Sequence, residues 1–232
     1  AGCLDQGGDW CVSARLLVSG SNLTGEVPFS AALVVNGDAT VLNSPAGERG
    51  DLARLCATLC EQHTITPSEI KQVRMDLGPG SYTGLRVAVT FVRFLQAFGP
   101  VEVQAVDSLA ALALHANEDA EDGLVVRSML DARRGRYHTA KFSFTGGKLV
   151  ALEASAATST EQVLAAIEPG ERVVMPQGLA EQLAPRLEDR QADVVVARQL
   201  TAQVLLSDRL PWFTATAEEL EPRYLMATYA ED

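Results

Sequence analysis

A glycine-rich segment between a predicted strand and a predicted helix constrains this chain more than any other feature. The segment reads Gly78-Pro79-Gly80-Ser81-Tyr82-Thr83-Gly84 and lies between a strand predicted over Gln72–Leu77 and a helix predicted over Leu85–Gly99. A chain that turns into a helix in this way exposes backbone amides at the helix N-terminus, where an anion can bind. The sequence therefore predicts a turn that is either a phosphate-binding loop or a tight structural turn capped by Ser81 or Thr83.

The spacing of the glycines argues against the familiar nucleotide and hydrolase loops. A P-loop ends in Gly-Lys-Ser/Thr, and this segment contains no lysine. The order Gly78, Gly80, Gly84 is G-x-G-x-x-x-G, whereas a dinucleotide loop requires G-x-G-x-x-G. A hydrolase nucleophile elbow requires G-x-S-x-G, but Pro79 stands where the first glycine would be. The structural turn is the favoured interpretation from spacing alone.

The helix that follows the glycine segment is apolar on nearly all sides. Its polar positions form one narrow stripe of Arg86, Thr90, Arg93 and Gln96. A surface helix needs only one apolar stripe, so this helix must be covered on two sides, either within the chain or by a partner. For a partner interface we expect Val89 and Val92 to face outward because they flank the polar stripe, and the candidate interface residues are Leu85, Val89, Val92 and Arg93.

The order of predicted elements suggests two similar lobes. A meander of strands, with Asn36-Gly37 as a hairpin turn, is followed by alternating helices and strands up to residue 109. A second meander and a second alternation fill 124–208. Capping boxes are predicted at Thr66–Glu69 and Thr158–Glu161, with helices over Glu48–His63, Thr158–Ile167 and near Thr201–Asp208. We expect a first, partner-binding lobe of residues 14–109 plus about 209–232, a second lobe of 110–208, and a loose N-terminal arm of 1–13.

The charge balance makes independent binding of nucleic acid improbable. Acidic residues outnumber basic ones 30 to 19, which gives a net charge of -11. A protein that grips a phosphate backbone by itself usually shows a basic face. Three arginines nevertheless cluster in Asp131-Ala132-Arg133-Arg134-Gly135-Arg136, at a predicted hairpin tip. This cluster could meet an acidic ligand or partner, or it could be a solvated turn.

The remaining polar residues form no evident catalytic or metal-binding set. His63, His115 and His138 are scattered, and the chain contains no C-x-x-C pair. Cys56 and Cys60 are four apart on a predicted helix, where they are expected to be buried free thiols. No apolar run is long enough to span a membrane. We therefore expect no metal, no cofactor, no membrane contact and a cytoplasmic location.

Four ordered segments resemble the TsaB family. The segment Leu77–Arg86, L-G-P-G-S-Y-T-G-L-R, is similar to the family signature G-P-G-S-F-T-G-L-R. Further similarities to the family's landmarks lie at Val106–Ala113, at Asp131–Gly135 with Tyr137, and at Pro222–Leu225. The signature supplies the loop residues of the candidate site, which are Gly78, Pro79, Gly80, Ser81, Thr83, Gly84 and Arg86. The resemblance covers about residues 15–225.

The resemblance implies a fold and a function. The implied fold is α/β, with two similar lobes of mixed sheet and helices in the architecture of actin-like ATPases. The implied role is that of a non-catalytic scaffold in making threonylcarbamoyladenosine in tRNA. Such a scaffold binds a TsaD-like catalytic subunit, is joined by a TsaE-like ATPase, forms homodimers, and meets tRNA only through the complex.

Two departures from the family pattern affect these expectations. The first strand ends in Val18-Ser19-Gly20-Ser21, where the family reads I-D-T-S, and Glu48-Arg49-Gly50 replaces the family's E-H-S. In actin-like ATPases the lost carboxylate helps to place metal and phosphate, so its loss argues against nucleotide hydrolysis. The alternatives are a nucleotide-binding enzyme of the actin-like superfamily, kinase-like or peptidase-like, and a nucleotide-binding regulator without turnover.

Overall fold

The computed structural model describes residues 14–45 and 50–223. The predictions for the N-terminal arm, Cys3, Cys11, Glu48-Arg49 and the last nine residues therefore lie outside the described residues. The described strands are β1 Ala14–Ser19, β2 Ser30–Val35, β3 Asp38–Asn43, β4 Ile70–Asp76, β5 Glu102–Val106, β6 Val125–Asp131, β7 Arg136–Thr145, β8 Lys148–Ser159, β9 Arg172–Pro176, β10 Asp193–Ala197 and β11 Phe213–Thr214. The α-helices are α1 Leu52–Gln62, α2 Tyr82–Phe98, α3 Ser108–His115, α4 Thr160–Ala166 and α5 Gln177–Glu188, and 3-10 helices span Pro67–Glu69 and Ala202–Leu206.

The strands form two sheets that repeat one topology. The first sheet has the order β11-β5-β4-β1-β2-β3, and the second has the order β10-β9-β6-β7-β8. In each sheet an antiparallel meander of three strands is followed by two parallel strands, reached through helical crossovers. The predicted fold class, α/β with two similar lobes, is therefore confirmed.

Helix α3 joins the two sheets into one core. Asp107 caps the helix, because its Oδ1 accepts a hydrogen bond from the Leu109 amide at 2.8 Å. From Ser108 to Leu114 every residue is buried, and the helix packs in one cluster with Leu17 of the first sheet and Phe142 of the second. A helix that is apolar all round must be covered on all sides, and here both sheets cover it.

The segment that returns from the second sheet to the first is anchored by a buried arginine of β4, Arg74. The Arg74 guanidinium donates to Asp208 Oδ1 at 2.6 Å and to the carbonyl oxygens of Leu205 and Leu206 at 3.4 and 3.3 Å. The Trp212 ring lies 4.8 Å from its Cζ. These contacts hold the segment after β10 against β4, and β11 then pairs with β5 at the edge of the first sheet.

Several local predictions are confirmed. The Asn36-Gly37 turn joins β2 to β3 with left-handed φ at both residues, 53° and 95°. Thr66 and Glu69 form the predicted capping box. Cys56 and Cys60 are buried free thiols, and burial together with the neighbouring Cys60 raises the pKa of Cys56 to about 12.

Several helix boundaries were predicted wrongly. Helix α2 was expected from Leu85 but begins at Tyr82, directly after its cap Ser81. Helix α1 was expected from Glu48 but begins at Leu52, directly after its cap Asp51. The capping box expected at Thr158–Glu161 lies one residue later, at Ser159 and Gln162, because β8 stays paired with β7 as far as Ser159. The helix expected near Thr201–Asp208 is a 3-10 helix limited to Ala202–Leu206.

Candidate partner-binding face on helix α2

The glycine segment connects β4 to α2, and its backbone packs closely against the end of β1. The Ser81 amide donates to the Ser21 carbonyl at 2.7 Å, and the Ser81 side chain caps α2 by accepting from the Gly84 amide at 3.2 Å. A Cβ atom on Gly20 would lie 2.6 Å from the Gly84 carbonyl oxygen, and a Cβ on Gly84 would be even closer to the Gly20 oxygen. Only glycine fits at these two positions, so backbone fills the space between β1 and the first turn of α2.

The loop before α2 is fixed at its other end by the start of α3. The Gly78 amide donates to Ser108 Oγ, and the Ser108 amide donates to the Gly78 carbonyl, both at 2.9 Å. Gly80 packs on Ser21 so closely that a Cβ there would lie 2.5 Å from the Ser21 oxygen. Of the two interpretations of the segment, the geometry supports the structural turn capped by Ser81.

A buried carboxylate, which the sequence analysis missed, lies beneath this loop. Asp76 ends β4 and is fully buried. Its oxygens accept hydrogen bonds from Ser19 Oγ at 3.0 Å, from the Gly20 amide at 3.4 Å, from Ser108 Oγ at 3.4 Å, and from Ser21 Oγ. Burial raises the pKa of Asp76, while the hydrogen bonds from the serines and Gly20 act to lower it. The signal in the sequence was an aspartate at the end of a predicted strand, directly before the glycine segment.

Asp76 contacts the end of β1, where the sequence analysis found Val18-Ser19-Gly20-Ser21 in place of I-D-T-S. Its partners Ser19, Gly20 and Ser21 form the segment that replaces I-D-T-S. A carboxylate from β4 thus lies at the end of β1, where serine hydroxyls donate to it. Among the described residues no set of three or more His, Cys, Asp or Glu side chains could hold a metal ion.

A second polar contact joins the two sheets beside the loop. The Asp107 Oδ2 accepts from Ser155 Oγ of β8 at 2.5 Å, and the Arg223 guanidinium lies 4.0 Å away. The Arg223 amide also donates to the Leu77 carbonyl at 2.7 Å. Burial raises the pKa of Asp107, although Ser155 and the Leu109 amide act to lower it. Arg223 therefore lies next to the strand end from which the glycine loop begins.

The inner face of α2 is not where the sequence analysis placed it. Leu85, Val89 and Val92 are at most 3 % exposed, and Val89 and Val92 pack into the core cluster with β1 and α1. The prediction that Val89 and Val92 face outward is therefore wrong. Gly84 must face β1, and this fixes a buried stripe that continues along Leu85, Ala88, Val89 and Val92.

The opposite side of α2 carries large apolar side chains in solvent. We call this surface the α2 outer face, and it comprises Tyr82, Val87, Phe94 and Phe98, which are 51, 40, 61 and 76 % exposed. The Phe94 and Phe98 rings lie 4.5 Å apart and are tilted by 50°. A shallow groove of about 590 Å³ runs beside them and is lined by Tyr82, Thr83, Arg86, Val87, Thr90, Phe91 and Phe94.

Two arginines border the α2 outer face. Arg86 Nη1 donates to the Tyr82 hydroxyl at 2.8 Å, and its Cζ lies 5.4 Å from the centre of the Tyr82 ring. Arg93 donates to the Ala217 carbonyl at 3.2 Å and lies 3.8 Å from Glu221. Exposed aromatic and apolar side chains with arginines at the rim are typical of protein-binding surfaces. Of the predicted interface residues, only Arg93 borders this surface.

The other predicted features lie away from α2. The three arginines of 133–136 are exposed at the turn between β6 and β7. Among the described residues no helix is long and apolar enough to cross a bilayer.

Comparisons with known proteins agree with the fold. The family model described as "TsaD: tRNA N6-adenosine threonylcarbamoyltransferase" matches residues 49–205, which is more than half of the chain. The two repeated lobes define the class as an α/β protein built from two mixed sheets of the same topology. The chain belongs to the family of that model, and its resemblance to TsaB proteins is confirmed.

One curated relative matches only part of this chain, and two solved structures match nearly all of it at low sequence identity. The chain is 36 % identical over 85 residues to the "tRNA threonylcarbamoyladenosine biosynthesis protein TsaB" of Bacillus subtilis (strain 168), a match that spans 37 % of this chain and 36 % of that protein. Two solved structures, "YeaZ from Pseudomonas aeruginosa" and an uncharacterized protein with similarity to peptidase YEAZ from the same organism, share the fold. Each has a TM-score of 0.73 and 22 % identity, over 92 % of this chain and 100 % of that chain.

The two faces of α2 give a matched prediction for stability. Val89→Asp places a carboxylate in the core and should lower the free energy of unfolding by more than about 4 kcal/mol or prevent folding. Val87→Asp makes the same change two residues away on the α2 outer face, and it should cost less than about 1 kcal/mol. Thermal and urea unfolding followed by circular dichroism measure both. Equal losses for the two variants would contradict the assignment of the faces.

The buried carboxylate gives a prediction for pH dependence. Because its folded pKa is raised, Asp76 contributes stability that is fully present below its unfolded pKa of about 3.9 and is lost as the pH rises through the folded pKa. Asp76→Asn removes this titration. The free energy of unfolding of the wild type, relative to that of Asp76→Asn, should fall as the pH rises from about 4. Urea unfolding over a pH series measures it, and a relative stability that increased with pH would refute the raised pKa.

Proposed function

We propose that this protein is a non-catalytic scaffold subunit in the making of threonylcarbamoyladenosine in tRNA. The observation that carries the proposal is the α2 outer face on a chain of this family. Four large apolar side chains in solvent on one helix are unusual for a surface that stays free in water. The family match and the similarity to TsaB of Bacillus subtilis support the choice of pathway.

The proposed partner is a TsaD-like catalytic subunit. Its contact with this chain would cover the apolar side chains of the α2 outer face, with Phe94 and Phe98 at the centre. Aromatic side chains that become fully desolvated contribute most of the binding energy in such contacts. The rim arginines Arg86 and Arg93 would then meet polar groups of the partner, which adds specificity and speeds association.

Other assembly states belong to the same proposal. A second copy of this chain could use the α2 outer face, since a two-fold interface presents one patch twice. A TsaE-like ATPase would join the complex, and tRNA would bind through the assembled complex because this chain is strongly acidic.

The close backbone packing between β1 and α2 supports a role without nucleotide turnover. In the alternative, a kinase-like or peptidase-like enzyme, the first turn of α2 would have to accept phosphate beside β1. Gly20 and Gly84 fill that space with backbone, and the Gly84 amide is already bonded to Ser81. The serines at the end of β1 donate to Asp76, so they are also occupied.

We expect the purified chain to show no intrinsic ATPase activity. Incubation with ATP and a divalent cation should release phosphate at less than about 0.1 s⁻¹, well below the usual range of enzymes. A colorimetric phosphate assay measures the rate. Faster turnover that Asp76→Asn abolished, in a variant whose circular dichroism spectrum matches that of the wild type, would favour the enzyme alternative.

Binding to the catalytic subunit tests the proposal directly. Val87→Asp should abolish the complex at micromolar concentrations, because an ionised side chain would be buried in an apolar contact. Val150→Asp is the matched control, since Val150 is also an exposed valine at 45 % but lies on β8. Size-exclusion chromatography with light scattering, on this chain mixed with the TsaD-like subunit of the same organism, measures the complex. A complex that survives Val87→Asp, or is lost equally with Val150→Asp, contradicts the proposed interface.

A further inference from the structure

The turn between β6 and β7 concentrates positive charge on an acidic protein. Residues 131–136 contain three arginines and one aspartate, while the whole chain has a net charge of -11. Arg133, Arg134 and Arg136 are all exposed. The turn lies outside the α2 outer face, and of its arginines Arg136 donates to the Ala157 carbonyl of β8 at 2.7 Å.

The backbone of this turn is unfavourable for arginine. Arg133, Arg134 and Gly135 have consecutive left-handed φ angles of 67°, 52° and 70°. Side chains with a Cβ lose stability in this region, and glycine or asparagine adopts it more readily. Two arginines therefore occupy positions where a turn selected for stability alone would carry other residues. Such outliers point toward a functional role for the side chains.

The turn is also held rigidly. The Gly135 carbonyl accepts hydrogen bonds from Thr160 Oγ1 and the Thr160 amide, at 3.0 and 3.3 Å. The Arg133 amide donates to Asp131 Oδ1 at 2.7 Å, and the Arg136 amide donates to the Arg133 carbonyl at 3.0 Å. Arg136 Nη2 further donates to the Ala157 carbonyl of β8 at 2.7 Å. The backbone at Arg133 and Arg134 is therefore held in place before a ligand binds, and this lowers the conformational entropy lost on binding.

We propose that the β6–β7 turn is a docking site for an acidic segment of a protein partner, recognised by Arg133 and Arg134. Guanidinium groups bind carboxylates in bidentate geometry, and two of them at one rigid turn match a segment with a few closely spaced Asp or Glu residues. Nucleic acid fits less well, because affinity for a phosphate backbone grows with the number of phosphates that Lys and Arg neutralise, and this turn offers only two or three cations. The inference goes beyond the proposed function and does not depend on the α2 outer face.

The experiment uses the whole chain with two labelled probes, an oligoglutamate peptide and an oligouridine of the same length. Fluorescence anisotropy at about 50 mM and about 200 mM salt gives the affinity and its screening. The wild type should bind oligoglutamate more tightly than oligouridine. The double variant Arg133→Gln/Arg134→Gln should weaken peptide binding by about 5- to 30-fold.

The control removes two exposed arginines elsewhere in the second lobe, through Arg190→Gln/Arg198→Gln. This control lowers the net charge by the same amount and should change peptide affinity less than about 2-fold. An equal loss in the control would mean bulk electrostatics and would overturn the proposal. Tighter binding of oligouridine, or no peptide binding at the lower salt, would also overturn it.

A second variant separates binding from folding. Arg133→Asn relieves the left-handed backbone and should raise the midpoint of thermal unfolding by about 2–4 °C, while it weakens binding of the oligoglutamate peptide. Stabilisation together with unchanged peptide affinity would identify the turn as structural only, and it would refute the docking site.

Discussion

The close packing of Gly20 against Gly84 is the contact on which the first lobe depends. The end of β1 and the first turn of α2 approach through backbone alone, and a Cβ at either position would collide with the other's carbonyl oxygen. This approach fixes the rotation of α2 about its own axis. Leu85, Val89 and Val92 then enter the core, and Val87, Phe94 and Phe98 remain in solvent. The location of the candidate interface thus follows from two glycines.

The same packing leaves little room for a ligand between β1 and the first turn of α2. The geometry that brings α2 onto β1 removes the space at its N-terminus, and the Ser81 cap occupies the Gly84 amide. Asp76 stabilises the closed arrangement because it accepts hydrogen bonds from the β1 end and from the start of α3. These contacts hold the buried side of α2 in place beneath the α2 outer face.

The sequence predicted features that depend on local chemistry. The Asn36-Gly37 turn and the Thr66–Glu69 capping box are determined by a few neighbouring residues, and both occur in the structure. The repeated lobes could be predicted because the same order of meander and alternation appears twice in the chain. The glycine segment was also identified correctly as a tight turn into a helix.

The features that were missed depend on contacts between distant segments. A helix that is apolar on nearly all sides has no unique buried face, so its orientation could be read only from the contact of Gly84 with Gly20. The cap of α4 moved to Ser159 because cross-strand pairing extends β8. The hydrogen-bond partners of Asp76 lie more than fifty residues earlier and about thirty residues later in the chain. A local sequence pattern cannot predict which distant side chains meet at such a site.

Hydrogen exchange of this chain, alone and with the TsaD-like subunit, tests the central claim most directly. The account predicts that protection on binding concentrates in α2 and in the segment around Ala217–Glu221 that Arg93 contacts. It predicts little change across β6 to β10 apart from the β6–β7 turn. Protection concentrated in residues 137–196, with α2 exchanging as in the free chain, would contradict the claim that the α2 outer face holds the catalytic partner.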